Sequence, residues 1–436
     1  MEVPINTTTN HSYYSNIQNS VRIAVVGCLH GNLKDVYDEL AIIEKNTQTK
    51  VDILLCCGDF ESMRNEYDLQ FMSCPEKYKH LTQFMNYDPN GEFFNQPAPY
   101  LTIFIGGNHE ASNVLDENFY GGWVAYNIFY LGRAGVVNFR GLRIAGLSGI
   151  YNKFDYCRGH FEMDLLKNIK SIFHVREYEI AKLAQLKSKI DILMTHDWPS
   201  GCVNRKDFNK ITKVKYHWKE ELKTNTLGSP ASEYLMKLLK PSYLLSGHMH
   251  YTYFNDIKHS DSETTKFIAL DKAGTKGKRY YLHILDYPGE KENNENNERN
   301  TSNDLFFDPE WLAITKAFND YMPTENKNYD FSAFMPSEDL IYSGFFKNQY
   351  QTKPQFDYRS TYTKVTPAED IKDKITKNTS EFKKFNNKAL TINYSSDKDY
   401  MIQRENFVKF IQIEDIHKTK GKVVKNTEEI NLDFEF

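Results

Sequence analysis

Residues 22–32 read Arg-Ile-Ala-Val-Val-Gly-Cys-Leu-His-Gly-Asn, an apolar run that ends in a glycine-containing turn with Cys28 and His30. Runs of this kind are typical of strands that are covered on both faces of a sheet. Helix-like segments separate several such runs, which predicts a layered α/β domain. The other runs occupy residues 52–57, 101–105, 143–147, 191–195, 243–246 and 280–285, and the helix-like segments occupy 34–44, 174–187 and 231–240.

Five of these runs are followed by a tight turn that carries one or two side chains able to bind a metal ion. In an α/β sheet the carboxyl ends of the strands meet at one crevice, so residues far apart in the sequence converge there. A single His or Asp after a strand is more often a turn or core residue, but five such turns in the same position outweigh that explanation. Seven donors suffice for two metal ions if one carboxylate bridges them. The candidates are Cys28, His30, Asp59, Asn108, His196, His248 and His250, with His109 beside them.

The length of 436 residues is ample for one large domain or two ordinary ones. The formal net charge of -4 excludes a globally basic nucleic-acid-binding protein, so a polyanion would have to meet a local basic patch or a metal site. No apolar run approaches the roughly 20 residues that cross a bilayer, so we expect no membrane-spanning segment. Residues 1–20 lack an apolar core and basic residues, and we expect a disordered arm there.

The six cysteines all lie in the first half of the chain and form no Cys-x-x-Cys pair, which argues against a zinc ribbon or a thioredoxin-like site. A chain of this size needs no disulfides to hold its core, so we expect reduced thiols. One of these thiols, that of Cys28, is a candidate metal ligand. The alternative is a small buried hydrophobic residue, which is the usual role of a free cysteine.

The composition changes after about residue 288. Residues 289–304 contain no apolar side chain and are predicted to form a solvated linker after the α/β domain at 21–288. An amphipathic element at 306–318 predicts a short helical segment, within 305–340, that packs on that domain. Residues 341–436 are polar and mildly basic, and they form either a solvated appendage or an auxiliary tail that contacts RNA or docks a partner.

The ordered turns resemble the pattern Asp-x-His, Gly-Asp, Gly-Asn-His, a lone His and Gly-His-x-His of the calcineurin-like metallophosphoesterase superfamily. This resemblance implies that superfamily's fold, a layered β-sandwich flanked by helices. The chain departs from the pattern at the first ligand, where Cys28 stands in place of the usual Asp. That departure and the neighbouring sequence are similar to those of the RNA lariat debranching enzymes, over roughly residues 21–320. The similar stretches are 55–60, 104–113, 120–125, 149–151, 155–156, 158–162, 173–176, 195–199, 225–231 and 308–312.

The resemblance implies two divalent metal ions that share Asp59. A thiolate at position 28 would favour Fe(II) or Zn(II) over Mg(II), with Mn(II) as a substitute. The side chain of His109 would not bind metal but would face the scissile phosphate; the alternative is a purely structural His that supports Asn108. One ion would be held by Cys28, His30, Asp59 and His250, and the other by Asp59, Asn108, His196 and His248.

The activity that the resemblance implies is hydrolysis of the 2′–5′ phosphodiester bond at the branch point of excised intron lariat RNA. A metal-activated hydroxide would attack phosphorus, and His109 would assist the departing 2′ oxygen as a general acid or hydrogen-bond donor. One alternative is a metallophosphoesterase that acts on cyclic nucleotides or phosphoproteins, but the similar stretches extend beyond the ligands. Another is a scaffold that has lost catalysis, but the whole ligand set and His109 are present.

The resemblance also implies a lariat recognition loop at about residues 148–176. Aromatic faces stack on splayed bases and Arg pairs with phosphate oxygens, which suits a branched single-stranded junction. The alternative is an ordinary active-site lid with packed aromatics. The resemblance further implies a nuclear location, with shuttling to the cytoplasm left open. We also expect splicing or RNA-turnover factors as partners of the tail. The candidate RNA-binding residues are Tyr151, Asp155, Tyr156, Arg158, His160 and Arg176.

Overall fold

The computed structural model describes residues 20–82, 84–87, 96–275, 280–288, 305–331 and 363–364, together with 404, 405, 407–409, 411, 413 and 415. The predicted linker at 289–304 and all but the last residue of the predicted N-terminal arm lie outside these residues. Two β-sheets form the centre of the described part of the chain.

The first sheet contains β1 (Val21–Val26), β2 (Ile53–Cys56), β3 (Thr102–Phe104), β4 (Gly122–Ala125), β5 (Ile128–Tyr130) and β12 (Leu282–Tyr287). Their order is β12-β1-β2-β3-β5-β4. The four inner strands run parallel, and each edge strand is antiparallel to its neighbour. Parallel strands leave their carboxyl-end turns at the same edge of a sheet.

The second sheet contains β6 (Ala134–Phe139), β7 (Leu142–Leu147), β8 (Ile192–Thr195), β9 (Tyr243–Ser246), β10 (Tyr253–Lys258), β11 (Thr264–Ala269), β13 (Leu305–Phe307) and β14 (Thr363–Lys364). Their order is β10-β11-β9-β8-β7-β6-β13-β14, with β7, β8, β9 and β11 parallel. The carboxyl ends of β8 and β9 therefore share one edge.

Helices cover the outer faces of both sheets. The helices are α1 (Leu33–Thr47), α2 (Ser112–Glu117), α3 (Glu177–Leu183), α4 (Phe208–Thr212), α5 (Lys219–Thr224), α6 (Pro230–Leu239) and α7 (Pro309–Asn319). Helix α1 packs on the first sheet, whereas α3, α6 and α7 pack on the second. Among the described residues, none of these helices combines the length and apolar character that a membrane crossing requires.

The hydrophobic core lies in three layers because alternate residues of a strand point to opposite faces of its sheet. In β1, Ile23 points between the sheets, where it shares a cluster with Met194 of β8. Its neighbour Ala24 points outward and shares a cluster with Leu40 of α1. Each central strand is thus buried on both faces, which explains the continuous apolar runs. The predicted α/β sandwich flanked by helices is confirmed.

The element predicted at 306–318 is not one helix. Residues Leu305–Phe307 form strand β13, and helix α7 begins only at Pro309. Between them, the Asp308 carboxylate accepts the backbone N–H of Trp311 at 3.0 Å, which caps the helix. Arg143 of β7 donates to the same carboxylate at 2.7 Å and so ties this cap to the second sheet.

Two other predicted boundaries also differ from the structure. The segment predicted to be helical at 174–187 is helical only over Glu177–Leu183, and the strand predicted at 280–285 begins at Leu282.

Part of the predicted polar tail is packed rather than solvated. Phe407 and Ile411 are buried and belong to the cluster that contains α7. The ring of Phe407 stacks on Tyr120, with centroids 5.4 Å apart and planes at 24°. The Arg404 guanidinium donates to the backbone carbonyl of Glu117, the last residue of α2, at 3.1 Å. The C-terminal region therefore contributes to the core around the α/β domain.

Candidate metal centre

The five turns that carry candidate ligands meet at one edge of the sandwich. The turns after β1, β2 and β3 come from the first sheet, and those after β8 and β9 come from the second. The site thus lies where the carboxyl ends of both sheets face each other. The turns carry Cys28 and His30 after β1, Asp59 after β2, Asn108 and His109 after β3, His196 after β8, and His248 and His250 after β9.

Four candidate ligands adopt a left-handed backbone conformation. Their φ angles are 46° at His30, 48° at Asp59, 59° at His248 and 45° at His250. For a residue with a Cβ atom this region costs about 1–2 kcal/mol, and such strain concentrates at functional sites. The surrounding structure must hold these turns in place, and four such residues at one edge support a functional site there.

Glycines next to the ligands leave room that a side chain would fill. A Cβ atom on Gly58 would lie 2.2 Å from Nδ1 of His196, and Gly58 also has a φ of 107°. A Cβ atom on Gly107 would lie 2.2 Å from Oδ1 of Asp59 and 2.7 Å from Cε1 of His196. Close backbone approach at these turns therefore requires glycine.

The first group of donors consists of Cys28, His30, Asp59 and His250, whose ligand atoms all lie within 4.8 Å of one another. The Nε2 atoms of His30 and His250 face each other at 3.1 Å. Nε2 of His30 also lies 3.5 Å from Oδ2 of Asp59. Ring nitrogens, a thiol and a carboxylate that converge in this way form a donor set that suits a divalent transition-metal ion.

The second group surrounds the other oxygen of Asp59. Oδ1 of Asp59 lies 3.3 Å from Nε2 of His196, and Oδ1 of Asn108 lies 3.3 Å from the same nitrogen. The ring of His248 is centred 5.0 Å from that of His196. Its Nε2 lies 4.0 Å from Oδ1 of Asp197, a residue to which the sequence assigned no role. The two oxygens of Asp59 thus face two different groups of donors.

The protonation states of Asp59 and His250 fit a bound cation, whereas His196 and His30 bind metal only without their extra proton. Burial opposes that proton, but Asp59 raises the pKa of His196 to about 8, and Glu61 and Asp59 raise the pKa of His30. Burial alone would raise the pKa of Asp59, but His196 and His30 hold it well below its usual range. Burial and the neighbouring His30 lower the pKa of His250 to about 3, so its imidazole is neutral and able to bind metal. Burial, together with the charge of Asp59, raises the pKa of the Cys28 thiol, so a thiolate there requires a cation beside it.

Two buried carboxylates that the sequence analysis missed support the ligands. Oε1 of Glu61 lies 3.0 Å from Nδ1 of His30, which leaves Nε2 of that ring for metal. The Glu110 carboxylate accepts backbone N–H groups of Phe60, Gly107 and Glu61 at 2.8, 3.0 and 2.9 Å. Burial and the charge of Asp59 raise the pKa of Glu110 to about 8. Only the fold reveals these partners, because no local motif singles them out.

His109 occupies the rim of the site. Its backbone N–H donates to Oδ1 of Asp59 at 2.9 Å, which fixes the turn against the shared carboxylate. Its side chain is half-buried, and its ring is centred 5.6 Å from that of His30. The imidazole therefore stands beside the first group of donors and remains accessible from outside.

Arg176 and His160 are predicted RNA-binding residues, and both of their side chains are buried inside the predicted recognition loop. Arg176 is 0% exposed, is paired with Glu162, and donates to the carbonyl of Asp155 at 3.1 Å. His160 is 1% exposed, with Nε2 2.8 Å from a carboxylate oxygen of Glu179. Buried charges need such partners, and these contacts stabilise the loop.

Asp155 is likewise engaged within the loop. Its carboxylate contacts Nδ1 of His174 at 2.6 Å and accepts from Arg158 at 3.1 Å, and the residue is buried. The side chains of Tyr151 and Tyr156 are half-buried, with ring centroids 5.4 Å apart. The surface of the loop also displays Phe154, which is 68% exposed. Tyr151, Tyr156 and Arg158 are thus the predicted residues that remain accessible.

Segments after α7 hold the recognition loop from outside. The backbone N–H of His160 donates to the carbonyl of Pro323 at 2.8 Å, and that of Tyr329 donates to Cys157 at 2.8 Å. A Cβ atom on Gly159 would lie 2.7 Å from the carbonyl oxygen of Glu325. The loop conformation therefore depends on residues well beyond the α/β domain.

Two family models match the chain. Residues 21–252 match the calcineurin-like phosphoesterase family, in agreement with the predicted fold. Residues 262–431 match the C-terminal domain of the lariat debranching enzyme family. The second match extends far beyond residue 320, where we had expected the resemblance to end, and it includes the packed residues near 407.

Among similar proteins, the lariat debranching enzyme of Arabidopsis thaliana is 39% identical over 361 residues, which are 81% of this chain and 82% of that protein. The lariat debranching enzyme of Homo sapiens is 44% identical over 308 residues, 69% of this chain and 54% of that protein. That of Drosophila melanogaster is 36% identical over 400 residues, with 80% and 72% covered. The chain thus spans most of the plant protein but only about half of the human one.

Proposed function

The chain belongs to the calcineurin-like phosphoesterases and, within them, to the lariat debranching enzymes, and from this we propose that it hydrolyses the 2′–5′ phosphodiester bond at the branch point of excised intron lariats. The product would be linear RNA that is ready for turnover. The observation that carries the proposal is the convergence of the five turns around Asp59, with a thiol at the first ligand position.

Membership of this family implies divalent metal ions, and the donor groups around Asp59 fit them. Such ions, when bound, supply a nucleophile at neutral pH and neutralise charge on the phosphoryl oxygens. Asp59 would contribute one oxygen to each ion. We assign Cys28, His30, Asp59 and His250 to one ion, and Asp59, Asn108, His196 and His248 to the other.

The thiol of Cys28 bears on which metals bind. Thiolate ligands select Fe(II) or Zn(II) over harder ions, and Mn(II) is a substitute that a carboxylate such as that of Asp59 accepts. The position of Cys28 beside His30 and His250 supports this choice for the first group of donors.

His109 is assigned to the leaving group. Its imidazole is half-buried at the rim, while its backbone is fixed to Asp59. Histidine is the side chain best suited to proton transfer near neutral pH, so it can donate a proton or a hydrogen bond to the departing 2′ oxygen. This role needs the ring to remain off the metal, in agreement with its place outside both groups of donors.

The accessible part of the recognition loop is assigned to the branched RNA. The rings of Tyr151 and Tyr156 offer faces for base stacking, and the side chain of Arg158 is 37% exposed and offers a cation to phosphate. On the basis of family membership alone, we also propose a nuclear location. On the same basis we propose that the C-terminal region contacts splicing or RNA-turnover factors.

The test is an anaerobic cleavage assay with Fe(II), Zn(II) or Mn(II) on a synthetic branched RNA. A linear RNA with only 3′–5′ linkages and a cyclic nucleotide serve as control substrates. We expect cleavage at the 2′–5′ linkage alone. Comparable cleavage of the linear RNA, or cleavage of the cyclic nucleotide without the branch, would overturn the proposal.

A further inference from the structure

A concentration of positive charge lies between residues 205 and 219, in a chain whose net charge is -4. The only acidic residue of this segment, Asp207, accepts a hydrogen bond from the Tyr253 hydroxyl at 2.9 Å. A local excess of cations on an acidic protein is the electrostatic footprint of a polyanion site. The cations of this segment, which we call the basic segment, are Arg205, Lys206, Lys210, Lys213, Lys215 and Lys219.

The basic segment combines these charges with exposed aromatic surface. Lys206, Lys210 and Lys213 are exposed. Tyr216 is 73% exposed, and Nζ of Lys219 lies 5.7 Å from the centre of its ring. Cations that track a backbone, next to an aromatic face on which a base can stack, are the elements of single-stranded nucleic-acid binding sites.

Trp218 anchors the basic segment to the metal centre. Its buried ring is centred 5.9 Å from that of Trp198 and 6.0 Å from that of Tyr251. Trp198 lies two residues after the candidate ligand His196, and Tyr251 directly follows His250. Nζ of Lys215 lies 5.1 Å from the centre of the Trp218 ring. The charges are thus held beside the turns that carry the ligands.

The basic segment and the recognition loop flank the ligand-bearing strands on different sides. The recognition loop follows β7, whereas the basic segment contacts β10, where the Tyr253 hydroxyl donates to the Asp207 carboxylate at 2.9 Å. In the second sheet β8 and β9, which carry the turns with His196, His248 and His250, lie between β7 and β10. A branched RNA, which has three arms, can therefore meet protein on both sides of the scissile bond.

We propose that the basic segment is a second RNA-binding surface, which holds one arm of the branched substrate by its phosphates and stacks one of its bases on Tyr216. The inference rests on the proposed debranching function and adds a binding surface to it. Contacts of this kind are independent of sequence and weaken with salt. They would raise the affinity for substrates whose arms are long enough to reach the surface, without changing the chemistry at the branch.

The test compares the full chain with a variant that carries Lys210→Glu, Lys213→Glu and Tyr216→Ala. The matched control carries Lys45→Glu and Lys258→Glu, two exposed lysines in the last turn of α1 and at the last residue of β10. Each protein is given branched RNA with arms of a few nucleotides and branched RNA with long arms. For the long-armed RNA we expect the KM of the surface variant to rise about tenfold. We also expect the slope of log KM against log salt concentration to be smaller by about one unit for each lost phosphate contact. For the short-armed RNA we expect kcat and KM to match those of the control.

A footprinting measurement tests the same surface in the unmutated chain. Long-armed RNA should protect Lys210 and Lys213, but not Lys258, from an amine-reactive reagent. Equal KM values of surface variant and control on long-armed RNA, or equal labelling of the three lysines, would overturn the inference. Absence of 2′–5′ cleavage by the unmutated chain would instead overturn the proposed function, so the two failures are distinguishable.

Discussion

The Sγ atom of Cys28 accepts a hydrogen bond from the backbone N–H of His248 at 2.9 Å, although the two residues are 220 positions apart. The first and last ligand turns are therefore in direct contact before any metal is considered. A backbone donor aimed at the sulfur favours the thiolate, which burial otherwise disfavours. This contact joins the two sheets at the point where the first ion would bind.

Replacing Cys28 by Ser tests whether the sulfur is a ligand. Serine keeps a hydrogen-bond acceptor of similar size but removes the soft donor, so we expect the anaerobically purified variant to lose roughly one ion of Fe or Zn per chain. Elemental analysis measures this loss. Cys74→Ser, at a half-buried thiol outside the site, is the control. Unchanged stoichiometry and metal identity in Cys28→Ser would exclude ligation by the sulfur.

Gly107→Ala tests how tightly the turns are packed around Asp59. The added methyl group would lie 2.2 Å from Oδ1 of Asp59, so we expect loss of both bound metal and turnover. Gly274→Ala is the control, because its nearest neighbouring atom is 3.9 Å away and only its φ of 74° opposes the change. The control should lose about 1–2 kcal/mol of stability and keep its metal. Equal metal contents of the two variants would show that the turn at Gly107 can yield.

Two arginines of the recognition loop should respond differently to substitution. Arg176→Met leaves Glu162 buried without its charged partner, and we expect a loss of about 3–5 kcal/mol in the free energy of unfolding. Arg158→Ala removes a partly exposed ion pair, and we expect less than about 1 kcal/mol. Denaturant unfolding measures both, and KM for branched RNA should rise in Arg158→Ala. Similar stability losses in the two variants would contradict this division of roles.

Lys182 predicts a pH dependence of stability. It is buried, with Nζ 4.5 Å from the centre of the Trp311 ring, and burial lowers its pKa to about 8. The unfolded chain therefore binds the extra proton between about pH 8 and 10, so stability rises with pH in that window. Below pH 8 the buried charge costs roughly 3 kcal/mol. The Lys182→Met variant should be more stable than the unmutated chain at pH 7, and its free energy of unfolding should not rise between about pH 8 and 10. Denaturant unfolding of both proteins measures this. A rise of equal size in the variant would refute this assignment.

The sequence was sufficient to predict the sandwich and the converging turns for a physical reason. Strands buried on both faces read as continuous apolar runs, and parallel strands bring the turns after them to one edge. Strand β10 was missed because it alternates between buried or half-buried and exposed residues at the edge of its sheet. Ligand-type side chains such as Asp59 carried a signal, whereas Glu61 and Glu110 acquire their roles only through the fold.

Burial inside loops was not predictable from composition. Arg158 and Arg176 look equivalent in sequence, yet one is partly exposed and the other is enclosed with Glu162. The packing of Phe407 on Tyr120 was also missed, since a short apolar group in a polar region gives no indication of a partner 287 residues away. Contacts between distant segments of the chain decide both cases.

The central claim is that the donor groups around Asp59 hold the metal ions while His109 acts on the leaving group. Single-turnover cleavage of branched RNA by His109→Ala, with the metal content determined on the same sample, tests this claim most directly. We expect metal content equal to that of the unmutated chain and a rate lower by about 100- to 10,000-fold, the usual contribution of general acid catalysis. A rate near that of the unmutated chain, or a rate loss accompanied by loss of metal, would contradict it.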